Sequence, residues 1–210
     1  MRIFVIFSLV FLLTSCVETI VVGSVAGAGL VVREKSLSDT GKDIAISTKL
    51  GTKFIANGLK NPGNCVDITV NEGRVLLTGN VRDESKSVLA QELVWKVDGV
   101  KEVINEIHSR SNENQDKNNT KNNTGGRNDF SAVFLDYIIT AQVETKLLFA
   151  RDITSINYQV TTVNGTVYLL GVADNEFEMR RVLSIVSRIR GVDQVVNHVI
   201  LEDDSRRRHG

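Results

Sequence analysis

The sequence predicts an α+β fold made of two similar domains in tandem, and three observations predict it. Glycines and polar residues recur at one constant spacing. A polar stretch without large apolar side chains separates the two recurring segments. Within each segment the apolar residues change from a helical period to strict alternation. The recurring pairs are Gly73 with Gly165, Gly79 with Gly171, Glu84 with Glu176, Gly99 with Gly191 and Asn105 with Asn197. Because all five pairs lie the same number of positions apart, the segments are copies of one unit.

Residues 1–15 have the layout of a secretory signal, with Arg2 ahead of an apolar stretch from Ile3 to Leu13. That stretch suits a signal's apolar region of about 7–15 residues and falls short of the roughly 20 residues that span a bilayer. It ends in LTSC, which resembles the lipobox of bacterial lipoproteins and predicts cleavage before a lipidated Cys16. Residues 16–42 are rich in glycine and are expected to form the lipidated tether.

Helix one opens the first domain, which we assign to residues 43–108. Its apolar residues recur every four positions and so share one helical face; they are Ile46, Leu50 and Phe54. Asp43 stands where an N-cap is expected, and we interpret it as a cap rather than as a catalytic acid. The stretches CVDITV and RVLLTGNV then flank the turn from Asn71 to Gly73 and predict a β-hairpin.

A second helix and a last strand complete this domain. Asp83 is positioned to cap the helix and Gly99 to end it, because glycine tolerates the left-handed conformation of a C-cap. The strand VKEVINEIHS follows. The order αββαβ predicts a three-stranded mixed sheet that two helices cover on one face. The second domain, residues 130–201, repeats this order from a helix that opens at Asp136.

The remainder of the chain is polar. Residues 109–129 cannot bury a core and are expected to be a disordered linker, and residues 202–210 a flexible tail. The 25 basic and 25 acidic residues balance, so no charge excess favours nucleic acid. Two cysteines and three histidines without clustering predict no metal and no cofactor. No positioned acid, base or nucleophile recurs, so we expect neither an enzyme nor a small-molecule substrate.

Both copies resemble the BON domain. The resemblance lies in INYQVTTVNGTVYLLGVA with RGVDQVVNHVIL, and in CVDITVNEGRVLLTGNV with DGVKEVINEIHS. With the lipobox, the arrangement is similar to the dual BON-domain outer-membrane lipoproteins. The resemblance implies a protein that faces the periplasm, binds anionic phospholipid through its second domain and supports envelope integrity. Val17, rather than aspartate, follows Cys16, and the family's sorting habit then implies the outer membrane.

Helix one of the second domain carries more large apolar residues than one core face needs. Ile139, Val143 and Leu147 match the core stripe of the first copy. In the family this helix contacts phospholipid, so the resemblance implies a lipid-binding set of Tyr137, Ile138, Thr145, Lys146, Leu148 and Phe149. Lys146 and Arg151 are expected near anionic headgroups. From the residues alone, the excess predicts either membrane contact or packing between the two domains.

Two functions therefore stay open. The first is a lipid-anchored protein that binds an anionic phospholipid membrane. The second is a docking adaptor for the outer-membrane protein assembly machinery or a secretion complex, without lipid specificity. A KH-like nucleic-acid module is excluded, because the sequence contains no GXXG loop and the chain is predicted to be exported.

Overall fold

A computed structural model describes residues 37–110 and 129–208, which we call domain 1 and domain 2. Both have the predicted α+β fold. The elements of domain 1 are α1 (Leu37–Ala56), β1 (Lys60–Asn61), β2 (Asn64–Asn71), β3 (Arg74–Val81), α2 (Glu84–Trp95), β4 (Glu102–Asn105) and β5 (His108–Ser109). The elements of domain 2 are α3 (Asp129–Leu148), a 3₁₀ helix (Ser155–Asn157), β6 (Tyr158–Val163), β7 (Thr166–Ala173), α4 (Glu176–Val186), β8 (Gln194–Leu201) and α5 (Ser205–Arg208).

Each domain is built on a mixed sheet whose central strand is the second strand of the hairpin. In domain 2, β7 pairs antiparallel with β6 and parallel with β8, which gives the expected three strands. Domain 1 has more strands than expected. The side-chain oxygen of Asn61 accepts the N–H groups of Gly63 and Asn64, and this turn folds β1 back onto β2. The last strand is divided into β4 and β5, which both pair parallel with β3.

The two helices of each domain cover one face of its sheet, as predicted. In domain 1 the core stripe of α1 is buried against β2, β3 and α2, and in domain 2 the core stripe of α3 is buried in the same way. The buried stripes are Ile46, Leu50 and Phe54, and Ile139, Val143 and Leu147. These side chains hold helix one of each domain in a fixed rotation on its sheet.

The two aspartates that the sequence suggested as N-caps do not cap helices, because α1 and α3 begin further upstream. Asp43 instead accepts the N–H groups of Glu72, at 2.8 Å, and Gly73, at 2.9 Å, in the hairpin turn. Asp136 accepts those of Asn164, at 2.7 Å, and Gly165, at 2.9 Å. Both turn residues of each hairpin have positive φ, so consecutive N–H groups converge on the carboxylate. Each aspartate thus ties helix one to the hairpin.

Replacing Asp43 by alanine is expected to destabilise domain 1 by about 2 kcal/mol, because the buried N–H of Gly73 and the partly buried N–H of Glu72 lose a charged acceptor. The matched change Asp136→Ala should destabilise domain 2, while the exposed Asp98→Ala should have little effect. Amide hydrogen exchange measured separately for the two domains checks this. Equal exchange rates in Asp43→Ala and Asp98→Ala would show that the carboxylate does not stabilise the turn.

The two sheets pack against each other through the faces that carry no helices. A small apolar cluster lies between them, formed by Leu76, Ile104, Val163, Tyr168, Leu170 and Val196. The Thr69 and Thr161 hydroxyls lie 3.0 Å apart, and His198 Nε2 lies 2.9 Å from Glu106 Oε1. Each of these pairs joins residues 92 positions apart, which are equivalent in the two copies. The domains are therefore related by an approximate two-fold axis through the interface.

Candidate functional site

Helix α3 has two apolar faces. Its core stripe packs on the sheet of domain 2. Because successive residues are rotated by roughly 100°, a second stripe at spacings of three and four runs along the opposite side of the helix. We call it the outer stripe, and it consists of Phe134, Tyr137, Ile138, Ala141, Thr145 and Leu148.

The outer stripe is open to solvent. Phe134 is 56% exposed, Tyr137 71% and Leu148 61%, and Phe149, directly after the helix, is 79% exposed. Domain 1 does not cover these side chains, because the domains meet through their sheets and α3 lies on the other face of its sheet. The interdomain-packing interpretation of this helix is therefore wrong.

The first turns of α3 extend beyond the body of domain 2. Asp136 is hydrogen-bonded to the hairpin turn at the edge of the sheet, and the helix begins upstream of it at Asp129. At 1.5 Å per residue this overhang is about 10 Å long. Val133, Phe134 and Leu135 are all exposed, although they point to different sides of the helix, because no part of the sheet lies beside them.

A second exposed apolar group lies at the other end of α3. Glu178, which is buried, accepts the N–H of Thr154 at 2.8 Å and that of Asp174 at 2.7 Å. Burial, together with the Glu178 charge, raises the pKa of Tyr158. These contacts hold the loop after α3 against the start of α4. Exposed Ile156 and Phe177 are thereby brought to the same end of the domain as Phe149.

The charges around α3 are mixed. Lys146 and Arg151 are exposed near the C-terminal end of the helix, and Asp152 follows. Partial burial raises the pKa of the Glu144 carboxyl group. No group of histidine, cysteine, aspartate and glutamate side chains in the described domains is arranged to hold a metal ion. The arrangement suits binding to an apolar surface with nearby negative charge.

The equivalent face of α1 in domain 1 is much less apolar. Its positions, in the order of the outer stripe, are Gly41, Ile44, Ala45, Thr48, Thr52 and Ile55. Glycine and isoleucine replace the aromatic residues Phe134 and Tyr137, and Thr48 replaces Ala141. Exposed Ile55 remains as the counterpart of Leu148. Of the two copies, only domain 2 therefore has a large exposed apolar surface on its helix one.

The structure exposes most of the sequence-predicted lipid-binding set, but Lys146, nine residues after Tyr137, lies on the opposite side of α3 from it. Tyr137, Thr145, Lys146, Leu148 and Phe149 are exposed, whereas Ile138 is half-buried. The Thr145 hydroxyl donates to the Ala141 carbonyl oxygen at 2.7 Å. Cys16 lies outside the described residues. Within residues 37–110 and 129–208, no helix combines the length and the hydropathy that crossing a bilayer requires.

Five exposed apolar residues near the two ends of α3 were not predicted from the sequence, namely Val133, Phe134, Leu135, Ile156 and Phe177. Phe134 carries a signal in the sequence, since it precedes Ile138 by four positions and continues the helical period upstream of Asp136. Ile156 and Phe177 carry no such signal, because the Glu178 hydrogen bonds that place them connect separate segments of the chain.

Comparison with known proteins gives matches along most of the chain. The family model of the BON domain matches residues 42–111 and 136–203. A protein of Anaplasma centrale encoded in the gshII 5′ region is 34% identical over 79% of this chain and 99% of its own length. The outer membrane lipoprotein DolP of Haemophilus influenzae is 24% identical over 88% of this chain and 87% of its own. The osmotically-inducible protein Y of Escherichia coli is 25% identical over 63% of this chain and 59% of its own.

Proposed function

This chain belongs to the BON-domain family, and from that premise we propose that it is a lipid-anchored, non-enzymatic protein at the periplasmic face of the outer membrane. Its second BON domain binds anionic phospholipid through the outer stripe of α3, and this binding supports envelope integrity. The Haemophilus influenzae relative is named an outer membrane lipoprotein, which supports the proposed location and the lipid anchor at Cys16.

The exposure of the outer stripe is the observation that carries this proposal. Burying one large apolar side chain contributes roughly 1.5–3 kcal/mol, and the stripe together with Phe149 offers several of them on one line. A helix with one face in the protein core and the other apolar can lie flat in the headgroup region of a bilayer. Exposed apolar side chains of the overhang, and those of Ile156 and Phe177, add further apolar surface toward the two ends of α3.

A docking adaptor for an outer-membrane assembly or secretion complex is the second candidate function, and the same observation favours it. An exposed apolar helix face also fits a hydrophobic groove of a partner protein. The two functions differ in what the purified protein does alone. A lipid-binding domain associates with vesicles without any partner, whereas an adaptor does not.

Vesicle flotation of the two-domain protein without its lipid anchor tests the proposed function. We expect the protein to float with vesicles that contain phosphatidylglycerol and to float less with pure phosphatidylcholine. Failure to float with either would contradict lipid binding and favour the adaptor. Equal flotation with both would contradict the preference for anionic lipid.

The contribution of positive charge is tested by Lys146→Gln. Removing one basic residue near an anionic surface costs about 1 kcal/mol, so binding to phosphatidylglycerol vesicles should fall about fivefold. Binding to phosphatidylcholine should be unchanged. Lys53→Gln is the matched control, because Lys53 occupies the equivalent position on α1. A fall of the same size with Lys53→Gln would assign the effect to the net charge of the protein.

Cys16→Ser should abolish acyl labelling, since the acylation chemistry requires the thiol. The readout is incorporation of labelled palmitate in cells that express the full chain. Cys65→Ser is the control, because Cys65 is the other cysteine of the chain and lies on β2 of domain 1, away from the predicted signal. Labelling that persists in Cys16→Ser would contradict the anchor, as would labelling lost in Cys65→Ser alone.

A further inference from the structure

The C-terminal segment after β8 makes contacts that cross from domain 2 to domain 1. Arg207 donates from Nε to Glu72 Oε2 at 2.8 Å and from Nη2 to Glu72 Oε1 at 2.9 Å. This is a two-point contact between a guanidinium and a carboxylate, a geometry that fixes orientation as well as distance. Both side chains are largely buried, at 29% and 16% exposure, so solvent and salt screen the pair less than an ordinary surface ion pair.

The segment itself is held in shape by local bonds. Asp204 accepts the backbone N–H of Arg206 at 2.9 Å and the Arg206 Nη2 at 2.7 Å. The hydrogen bonds to Arg206 hold the pKa of the Asp204 carboxyl below its ordinary value. Arg207 also donates from Nη1 to the Glu202 carbonyl oxygen at 2.9 Å. The segment is therefore presented to domain 1 in one conformation.

The contacted surface of domain 1 is acidic and firmly attached to the rest of that domain. Glu72 lies in the hairpin turn, and its own N–H donates to Asp43 on α1. Glu102 on β4 lies 3.6 Å from Arg206 and also binds Arg74 Nε at 2.5 Å. The contact with Glu72 therefore connects the C-terminal segment to helix α1 and to the sheet of domain 1.

The interface close to this contact is weakened by unpartnered polar groups. Both polar atoms of the Asn71 side chain, next to Glu72, are buried without a hydrogen-bond partner. Buried polar groups without partners oppose burial. The apolar cluster between the sheets is small, so additional contacts are needed to fix the domains relative to each other at this edge.

We propose that the segment from Asp204 to Arg208 is a clasp that docks in cis on the acidic hairpin turn of domain 1 and locks the two domains into one rigid body. The clasp breaks the approximate two-fold symmetry, because the counterpart of Glu72 in domain 2 is Asn164. It fixes the direction of α3 relative to domain 1, which follows the predicted N-terminal tether in the sequence. The sequence predicted a flexible tail, but the described residues of this segment form α5 and contact domain 1.

Distance measurement between two spin labels tests the clasp without any lipid. The labels are introduced through non-natural amino acids at Lys49 on α1 and Gln142 on α3, which are exposed equivalent positions. Pulsed electron paramagnetic resonance should give a narrow distribution of the distance between the two labels in the full chain. Arg207→Glu should broaden it, Glu72→Arg should broaden it likewise, and the combination of both should restore a narrow distribution.

Two further variants separate the clasp from general effects. A chain that ends at Asp203 should reproduce the broad distribution, and Arg188→Glu, at an exposed arginine of the same domain, should leave it narrow. A narrow distribution in both Arg207→Glu and the shortened chain would overturn the proposal. So would a combined charge reversal that stays as broad as the single variants. Because no vesicles are present, failure of the clasp would leave lipid binding untouched.

Discussion

Gly79→Ala should unfold domain 1 while domain 2 keeps its structure. Gly79 has φ +105°, and a Cβ added there would lie 2.1 Å from the carbonyl oxygen of Cys65 on the neighbouring strand. The clashing atom belongs to the backbone, so a change of side-chain rotamer cannot relieve the clash. Strained backbone of this kind costs on the order of 1–3 kcal/mol, and forcing β2 away from β3 adds the loss of ladder bonds and core packing. A small domain has little stability to spare.

The control for this experiment is Gly51→Ala on α1, where an added Cβ would have nothing within 4 Å. Alanine in an open helical position should stabilise slightly, because it has the higher helix propensity. Hydrogen exchange, measured separately for the two domains, distinguishes unfolding of domain 1 from a global effect. Slow exchange retained throughout domain 1 of Gly79→Ala would show that the close approach of the two strands is not required.

Leu148→Glu should reduce binding to phosphatidylglycerol vesicles at least about tenfold. The change removes an apolar contribution of roughly 1.5–3 kcal/mol and adds repulsion from the anionic surface. Leu148 is a better position than Ile138, which is half-buried and whose replacement would disturb the domain. The fold should survive Leu148→Glu, because the core stripe of α3 is unchanged. Raised salt should weaken the binding of the unmodified protein only in part, since the apolar contribution is not screened.

Ile55→Glu is the matched control for this change. Ile55 is the equivalent residue of domain 1 and is 70% exposed, so the same chemistry is introduced on an equally open surface. Flotation should be unchanged. Equal losses in both variants would show that the effect comes from added charge, and full binding by Leu148→Glu with the fold intact would remove α3 from the binding surface.

The order of elements could be predicted because it depends on local patterns. The four-residue spacing of Ile46, Leu50 and Phe54 can be satisfied only by a helix against an apolar face, and the alternation around Asn71 to Gly73 only by a hairpin. The starts of α1 and α3 could not be predicted in this way. An aspartate before a helical pattern reads as a cap, and the hairpin turn that Asp43 binds lies about 30 positions further along the chain.

The packing of the two sheets against each other could not be predicted from the sequence either. The strand residues that face the interface include Thr69, Arg74 and Thr161, which are typical of a solvent-facing side of a sheet. Their burial depends on partners in the other domain, such as the Gly171 carbonyl oxygen that Arg74 approaches at 3.5 Å. The packing of the sheets determines which face of α3 stays exposed. Once the sheets cover each other, the apolar face of α3 is left without a partner in the described residues.

Depth measurement with a nitroxide label at position 148 tests membrane contact by α3 most directly. The label replaces Leu148 through a non-natural amino acid, and a second protein carries it at the equivalent Ile55. Relaxation by oxygen, which enters bilayers, is compared with relaxation by a water-soluble nickel complex on phosphatidylglycerol vesicles. Membrane contact by α3 predicts that the label at 148 becomes accessible to oxygen and shielded from nickel, while the label at 55 stays accessible to nickel. A label at 148 that remains as accessible to nickel on vesicles as in solution would contradict it.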